Sequence, residues 1–317
     1  MHDLPVYIDR DYAYVRMKAL TWIGNKGFMP STVQASAGKL LSDLIARIDD
    51  NMILVVNFQG ISHIEDHSLH TVNKALADTK RCTIFTKAST LSVENQISYK
   101  PVVTLESGTI IYNNEKPSRQ LSQSVEKNGK IEIDIIKHIV SESYKKFDKM
   151  ERLRSTPILA SGVFNAGSIV SDRNKFIWTC LLLTDKLNEI MNQYKPKANV
   201  RLLAVSLRAS PFAGSIGILE SYPIEIVDHM GPDLKILEEY TLRVATENVE
   251  YIYVGDFVIG GTELKIAETY AVARGCVIKH AIVIGSLFDP SEYKGTVKVH
   301  PVVKLREANP KIRYQMV

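Results

Sequence analysis

The chain has few cysteines, little excess charge and no long apolar run. Its 317 residues include three cysteines, and 39 basic residues stand against 35 acidic ones, for a net charge of +4. Cys82, Cys180 and Cys276 lie far apart in apolar surroundings, which predicts buried free thiols in a reducing compartment. So small a positive excess does not by itself indicate nucleic-acid binding.

Long hydrophobic stretches are also lacking. Apolar runs stay short of the roughly 18 residues that a membrane helix needs, and the chain does not open with a basic region followed by an apolar core. We therefore expect a cytoplasmic protein without membrane association. No metal-ligand spacing is apparent: His63, His67 and His70 cluster, but no further ligand set completes a zinc site, and solvated loop histidines are the expected alternative.

Hydrophobic periodicity predicts an α/β domain at the N-terminus. Apolar residues at helical spacing predict an amphipathic helix over 32–48, opened by a capping-box pattern at Ser31. A continuous apolar run over 52–58 predicts a central strand, followed by a second helix and a strand over 82–85. Because the length favours about two domains, we assign 1–115 to the first of them.

The segment between that strand and the second helix reads Gly-Ile-Ser-His-Ile-Glu-Asp-His-Ser-Leu over 60–69. It resembles STAS and STAS-like domains, in which an Asp-Ser pair caps the helix after a central strand, and the resemblance covers about 30–88. It implies a regulatory domain that contacts a protein partner. Asp66 or Ser68 would accept the free N–H groups at the helix start, and phosphorylation of Ser68 is the alternative that the resemblance suggests.

A polar stretch over 87–130, interrupted by turn-forming glycine, proline and asparagine residues, predicts a connector with a small hairpin. The domain boundary is therefore expected within 115–130. Apolar residues at helical spacing then predict a helix over 131–152 that joins the domains or forms a homodimer contact. We assign 116–153 to this connector and helix, and 154–317 to the second domain.

The second domain contains a glycine-rich bend between a strand and a helix. Strands alternating with helices across 155–288 predict a parallel sheet with helices on both faces and a ligand at the carboxyl ends of its strands. One strand leads into Asp256, then into Gly260, Gly261 and Thr262, and then into a helical pattern. Free N–H groups at such a helix start favour an anion, so the bend predicts a phosphate cradle, with a merely tight turn as the alternative.

This stretch resembles the phosphoribosyl pyrophosphate (PRPP) motif of type I phosphoribosyltransferases, especially orotate phosphoribosyltransferase. That motif runs apolar strand, Asp-Asp, Val-Ile-Thr, Ala-Gly-Thr, and it aligns here without gaps. The resemblance implies that Asp256 binds the ribose hydroxyls. It also implies a loop that binds the 5′-phosphate, formed by Phe257, Val258, Ile259, Gly260, Gly261, Thr262 and Glu263. Gly255 stands where the first acid is expected, and Ile259 where a polar residue usually sits.

Two further segments resemble the same family in the same order. Val-Phe-Asn-Ala-Gly over 163–167 resembles the hood over the base, which implies that Phe164 and Asn165 face the base and that Ser171 caps the next helix. The loop over 207–213 resembles the pyrophosphate loop and places Arg208 at its lysine position, where a guanidinium fork suits pyrophosphate. The implied pyrophosphate site comprises Ser206, Leu207, Arg208, Ala209 and Ser210.

The alternative for Arg208 is a surface arginine before a helix that starts with proline. Asp228 and His229 loosely resemble the start of the family's mobile loop, which implies that His229 closes over the site. Together these segments cover about 150–288.

The resemblance implies an α/β fold with a phosphoribosyltransferase-like domain at the C-terminus. It also implies an enzyme that binds PRPP or a nucleotide with Mg²⁺ and transfers ribose 5-phosphate, with Asp256 and Arg208 as its catalytic residues. Because the first acid is missing, two alternatives stay open. One is a degenerate nucleotide-sensing module, and the other is a partner-controlled effector such as those of bacterial antiphage defence.

Overall fold

The computed structural model describes residues 2–23, 26–78, 83–86, 103–104, 110–112, 130–153, 158–194, 196, 199–227, 249–287 and 295–316. The chain divides into two compact units, Met1–Glu132 and Ile133–Val317. Within the described ranges, none of the helices combines the length and the apolar character needed to cross a lipid bilayer.

The first unit is built around a mixed sheet. Its elements are β1 (His2–Asp3), β2 (Val6–Ile8), β3 (Tyr12–Arg16), β4 (Leu20–Ile23), β5 (Lys26–Phe28), β6 (Thr32–Val33), α1 (Ala35–Arg47), β7 (Ile53–Asn57), β8 (His63–Ile64), α2 (Asp66–Asp78), β9 (Thr83–Thr86), β10 (Val103–Thr104) and β11 (Ile110–Tyr112). The main sheet has the order β10-β11-β9-β7-β3-β2, in which β3, β7 and β9 are parallel. The predicted central strand is confirmed as β7, and its buried residues pack with those of α1 in the core.

Helix α1 begins later than the sequence predicts. Thr32 and Val33 form β6, which pairs in parallel with β8, and the extended Gln34 is the residue before the helix. The predicted capping box at Ser31 is therefore wrong, because pairing with a distant strand holds these residues in the extended conformation.

Ser68 does not cap α2. The helix begins at Asp66, so Ser68 lies inside its first turn, fully buried, and its hydroxyl has no hydrogen-bond partner among the described residues. A Cβ built on Gly38 would lie 3.1 Å from the Cα atom of Ser68, so the two helices approach closely here. Phosphorylation of Ser68 would require this buried hydroxyl to reach solvent. His63, His67 and His70 are exposed, as expected of solvated histidines, but His63 lies in β8 and the other two in α2, so the predicted loop position is wrong.

The second unit is organised by a parallel sheet. Its elements begin with α3 (Lys130–Glu142), which starts just before the boundary, and continue with β12 (Tyr144–Arg152), β13 (Ile158–Phe164), α4 (Ala166–Ser171), α5 (Arg173–Gln193), β14 (Asn199–Ala204), α6 (Ser210–Leu219), β15 (Ile224–Ile226), β16 (Val249–Val258), α7 (Thr262–Ala273), β17 (Val277–Ser286), β18 (Lys298–Lys304), α8 (Leu305–Ala308) and β19 (Tyr314–Met316). The sheet order is β15-β14-β16-β17-β18, with every pair parallel, which confirms the predicted parallel sheet.

A second, antiparallel sheet has the order β12-β13-β19. It overturns the predicted helix over 131–152, because the helix ends at Glu142 and the chain continues as β12. The Tyr144 ring packs against Phe164 of the neighbouring strand, with ring centroids 5.0 Å apart. Helical spacing of apolar residues extended the prediction past Glu142, and the pairing with β13 is what makes this segment a strand.

Two smaller predictions are settled by local contacts. The residue that caps α5 is Asp172 and not Ser171, because its carboxylate accepts hydrogen bonds from the N–H groups of Asn174 and Lys175 at 3.0 and 3.1 Å. Cys180 and Cys276 are buried free thiols, as predicted, while Cys82 lies outside the described residues.

Candidate functional site

The bend between β16 and α7 has the geometry of an anion cradle. Strand β16 is almost entirely buried up to Val258, and helix α7 begins four residues later at Thr262. Gly261 precedes the helix with φ 73°, in the left-handed region that glycine adopts without a steric penalty. The N–H groups of the first helical turn are free of intrahelical partners and point out of the helix end, where its dipole favours negative charge.

Asp256 lies near the carboxyl end of β16 and is 7% exposed. One carboxylate oxygen accepts a hydrogen bond from the N–H group of Phe257 at 2.6 Å. Burial raises the pKa of Asp256 above its ordinary value, and this effect outweighs the opposing influence of the Phe257 N–H group and the Arg208 charge. The carboxyl group is therefore held in a poorly solvated position.

The loop after β14 brings Arg208 to the same end of the sheet. Ser206 is buried, and its backbone oxygen accepts a hydrogen bond from the Ser210 hydroxyl at 2.8 Å, which fixes the turn into α6. Arg208 is exposed, and its charge is close enough to lower the pKa values of both Asp256 and Glu263. The Arg208 charge therefore acts on both carboxyl groups beside the bend between β16 and α7.

One cavity of about 670 Å³ connects these segments. Its lining comprises Phe147, Glu151, Arg152, Leu153, Val163, Phe164, Ser206, Leu207, Arg208, Tyr253, Asp256, Phe257, Val258, Ile259, Gly260, Gly261, Thr262, Glu263 and Leu264. All of these residues belong to the second unit. The predicted phosphate-binding residues, Asp256, Arg208 and Phe164 thus come together around one space at the carboxyl ends of parallel strands.

Some of the predicted site residues lie elsewhere. Asn165 is exposed and caps α4, because its side-chain oxygen accepts a hydrogen bond from the N–H group of Gly167 at 3.1 Å. Ala209 is fully buried and Ser210 opens α6, and neither lines the cavity. His229 lies outside the described residues.

An aromatic wall closes one side of the cavity. The Phe164 and Phe257 rings lie with their centroids 4.8 Å apart, in a tilted arrangement. Phe147 and Ile259 pack together with Leu153 in a small apolar cluster beside them. This wall suits a flat, weakly polar group such as a nucleobase.

Tyr253 occupies the space beside Gly255. A Cβ built on Gly255 would lie 2.7 Å from Cε1 of the Tyr253 ring and 2.9 Å from its hydroxyl, so a side chain at this position would collide with the ring. The Tyr253 side chain instead hydrogen-bonds Glu263 in the first turn of α7. Gly255, which replaces the expected first acid, thus leaves room for the Tyr253 ring, whose side chain interacts with Glu263.

Glu263 is the residue whose environment the sequence did not reveal. Its side chain hydrogen-bonds both Ser206 and Tyr253, and it lines the same cavity as Asp256. Burial and then the Asp256 charge raise the pKa of Glu263 to about 7, against the lowering effect of Arg208 and of the two hydrogen bonds. Sequence analysis placed Glu263 only within the phosphate loop, because its charge environment depends on burial, on side chains of β16 and on Ser206 and Arg208 of the loop after β14, which is distant in sequence.

The cavity also has a wall from β12 and the residue that follows it, supplied by Phe147, Glu151, Arg152 and Leu153. Sequence analysis missed these residues since it predicted a helix here. Among the residues that the structure describes, no group of three or more His, Cys, Asp or Glu side chains is arranged to hold a metal ion by itself.

Comparison with known proteins gives only distant structural similarity. No protein-family model matches the sequence, and no curated protein matches it. Among solved structures, the chain is similar to an orotate phosphoribosyltransferase from Aeropyrum pernix, at 13% identity and a TM-score of 0.40, over 56% of this chain and 96% of that one. It is also similar to adenine phosphoribosyltransferases from Leishmania donovani (14%, TM-score 0.37, covering 55% and 80%) and Thermoanaerobacter pseudethanolicus (10%, TM-score 0.39, covering 54% and 99%). Since identity and TM-score are both low, the assignment of function rests on the cavity.

Proposed function

We propose that the second unit binds PRPP or a nucleoside 5′-phosphate in this cavity and transfers or releases its ribose 5-phosphate group. The observation that carries the proposal is the convergence of three segments on one space. These are the bend with left-handed Gly261 before α7, the loop with Arg208 after β14, and Phe164 at the end of β13.

The 5′-phosphate would lie at the start of α7. The N–H groups of the first turn and the Thr262 hydroxyl supply hydrogen-bond donors, and the helix dipole adds favourable electrostatics for an anion. Gly261 lets the backbone approach the phosphate without a side chain in the way. This cradle would hold any ribose 5-phosphate compound, whatever its substituent at C1′.

Asp256 and Arg208, which carry opposite charges, would contact the remainder of such a ligand. The Asp256 carboxylate accepts hydrogen bonds from ribose hydroxyls and stabilises positive charge that develops on the sugar ring when the bond at C1′ breaks. The Arg208 fork suits the paired oxygens of a pyrophosphate. The aromatic wall of Phe164 and Phe257 would stack against a base.

The donor set fits Mg²⁺ brought in by the ligand. Magnesium in phosphate sites is usually held by one or two carboxylates together with substrate phosphates and water. Asp256 and Glu263 supply carboxylate oxygens on the cavity wall, so these two residues would hold the ion. When bound, it would neutralise the charge of a pyrophosphate group.

A second candidate is a module that senses the nucleotide, or an effector controlled by a protein partner, as in antiphage defence. The observation that favours it is the Tyr253 ring beside Gly255, which leaves no space for the first acid of the motif. A STAS-like function of the first unit in partner binding, a homodimer contact, and domain limits of 1–115, 116–153 and 154–317 remain predictions of the sequence alone.

Calorimetry on the full chain with PRPP and with nucleoside monophosphates, each with and without Mg²⁺, tests the proposal. We expect binding that Asp256→Asn and Thr262→Val each weaken, by about 10- to 100-fold for the carboxylate change, since a hydrogen bond to a charged group contributes about 1.5–3 kcal/mol. Arg208→Ala should weaken PRPP binding more than monophosphate binding. Release of pyrophosphate would support the transferase, and binding without release the sensor.

Lys265→Ala is the matched control for loss of a positive charge. Lys265 is exposed on α7 and does not line the cavity, so PRPP affinity should stay unchanged. If Asp256→Asn and Thr262→Val both bind like the parent chain, the ligand does not occupy this cavity. Equal losses of PRPP and monophosphate affinity in Arg208→Ala would remove the pyrophosphate role of Arg208.

A further inference from the structure

The small antiparallel sheet of the second unit carries an excess of positive charge. Its outer strand β12 contains four exposed cations, Lys145, Lys146, Lys149 and Arg152. Segment 305–316, which holds α8 and the opposite outer strand β19, contributes three more, Arg306, Lys311 and Arg313. Three acidic residues stand against these seven cations, namely Asp148, Glu151 and Glu307. The excess of +4 equals that of the whole chain. We call β12, β13 and segment 305–316 together the basic sheet.

The cations of the basic sheet flank one stretch of its central strand. Lys145 is the register partner of Val163 in β13. On the other side, the Arg313 N–H group donates a hydrogen bond to the Ser161 hydroxyl at 2.9 Å. Ser161 and Val163 are two positions apart on one strand, which is a separation of about 6.6 Å. Positive side chains from both edges therefore lie within reach of one extended ligand across the sheet.

The basic side chains of β12 are not neutralised within the part of the chain that the structure describes. None of the four forms an ion pair with another described residue. Of the three acids, Glu307 lies 3.7 Å from Lys137, which belongs to α3 and not to the basic sheet. Exposed cations without partners are available to the phosphates of a polyanion, where they displace its condensed counterions.

Partly exposed aromatic and thioether side chains lie among these cations. Phe147 in β12 and Tyr314 in β19 are half-buried, and Met150 is 37% exposed. The Arg306 guanidinium lies over the Tyr314 ring, 4.9 Å from its centroid. Aromatic rings and guanidinium planes are surfaces on which unpaired bases stack, whereas the bases of a duplex already stack on one another. The combination therefore suits a single strand.

The charges also disfavour self-association through this edge. An outer strand can pair with the same strand of a second copy, but pairing of two β12 strands would bring together two groups of three lysines each. Like charges on facing strands destabilise such a pair, and lysines are a common protection of sheet edges. An acidic protein segment would satisfy the charge but would make no use of the rings.

We propose that the basic sheet binds single-stranded nucleic acid, with its cations on the phosphates and its aromatic and arginine side chains against the bases. The inference goes beyond the proposed function and does not require it. Phe147 and Arg152 also line the cavity, so a bound strand would lie next to the nucleotide site.

Fluorescence anisotropy of the full chain with a labelled single strand of about 12 nucleotides tests the proposal. DNA and RNA strands are both used, with a 5′-hydroxyl end, because an end without phosphate cannot occupy the proposed phosphate cradle. We expect a Kd of about 1–100 μM near physiological salt for at least one of the two strands. The logarithm of the association constant should fall against the logarithm of salt concentration with a slope of about −3, the value for four phosphate contacts on a single strand.

Paired substitutions locate the contacts. Lys145→Ala combined with Lys146→Ala should reduce the magnitude of the slope by about 1.4, because two phosphate contacts are lost. Lys311→Ala combined with Arg313→Ala should have the same effect from the other edge. The matched control combines Lys265→Ala and Lys298→Ala, which removes the same charge from exposed positions on α7 and β18 and should leave the slope unchanged. All six side chains are exposed, so the thermal midpoint should stay that of the parent chain.

Several results would overturn the inference. These are no binding of either strand, an equal change of slope in the control, and a duplex of the same length that binds as tightly as the single strand. A polyglutamate peptide that displaces the strand at equal charge concentration would identify an acidic protein segment as the partner instead. Binding of PRPP or nucleotides without the single strand would refute this inference alone, and the reverse result would refute the proposed function alone.

Discussion

Gly261 determines both the backbone conformation of the bend before α7 and the access of a ligand to it. Its φ of 73° lies in the left-handed region, whereas the neighbouring Gly260 is exposed and is not among the residues with positive φ. We expect Gly261→Ala to lower the free energy of unfolding by about 1–2 kcal/mol, the usual penalty for an L-residue in this conformation. Urea denaturation measures this.

Gly260→Ala provides the control for that substitution. Since its backbone conformation accepts a side chain, its unfolding free energy should change by less than about 0.5 kcal/mol. The Gly261 variant should also lose affinity for PRPP, because relaxing φ would turn the first N–H groups of α7 away from the cradle. A Gly261→Ala chain as stable as the parent would show that the bend is not fixed in this conformation.

At the scale of single residues, the sequence identified the side chains that line the cavity at the bend, but not how their surroundings change their pKa values. The sequence predicted Asp256, Arg208 and the glycines at one site, and the structure brings them to one cavity, while their roles remain predictions. It could not give the pKa of Glu263, which depends on Ser206, Tyr253 and the burial of the whole site. It also assigned Asn165 to the base, while a nearby backbone N–H group uses that side chain as a helix cap.

Helix α6 shows how glycine sets the distance between an element and its neighbour. A Cβ built on Gly217 would overlap the Ile224 side chain of β15 and lie 3.0 Å from the backbone oxygen of Tyr222. We expect Gly217→Ala to destabilise the protein by about 1–3 kcal/mol through overpacking. Thermal and denaturant unfolding both report this change.

Gly214, on the same helix, is the matched control. A Cβ there meets nothing within 4 Å among the described residues, so Gly214→Ala should stabilise the helix by about 0.5–1 kcal/mol through reduced backbone entropy. Opposite signs at the two glycines would confirm close packing of α6 on β15. Equal stabilisation at both would mean that the helix shifts freely over this edge of the sheet.

The element that sequence analysis assigned incorrectly is β12. Apolar residues at helical spacing continue past Glu142 to Tyr144 and Phe147, so the local pattern predicts helix. Antiparallel pairing with β13 and the contact between the Tyr144 and Phe164 rings make the segment a strand. No local signal distinguishes the two, because the partner strand supplies the hydrogen bonds.

At the scale of the whole molecule, a buried polar cluster stabilises the first unit. Glu132 accepts a hydrogen bond from the Tyr14 hydroxyl at 2.8 Å and one from the Asn57 amide at 3.1 Å. It also lies 3.5 Å from Arg16, which is 1% exposed. The cluster joins the start of α3 to the central strands β3 and β7, so it combines residues more than 100 positions apart in sequence.

Removing Glu132 should therefore be costly. We expect Glu132→Ala to lower the free energy of unfolding by about 3–5 kcal/mol, because it leaves the Arg16 charge buried without its carboxylate. Denaturant unfolding of the full chain measures the change. Asp134→Ala, an exposed acidic residue on the same helix, should alter stability by less than about 0.5 kcal/mol, and a similarly small effect at Glu132 would show that the cluster contributes little.

The sequence by itself determined the alternation of strands and helices, the parallel direction of the strands in the second unit's sheet, and the glycine-rich bend after Asp256. These features depend on the periodicity of hydrophobic residues and on local backbone preferences, both of which are set by residues close together in the sequence. Only the tertiary structure decided that Ser68 is buried, that 144–152 is a strand, and that Tyr253 reaches from beside Gly255 to Glu263. Those outcomes depend on burial and on partners distant in sequence, whose positions only the folded chain defines.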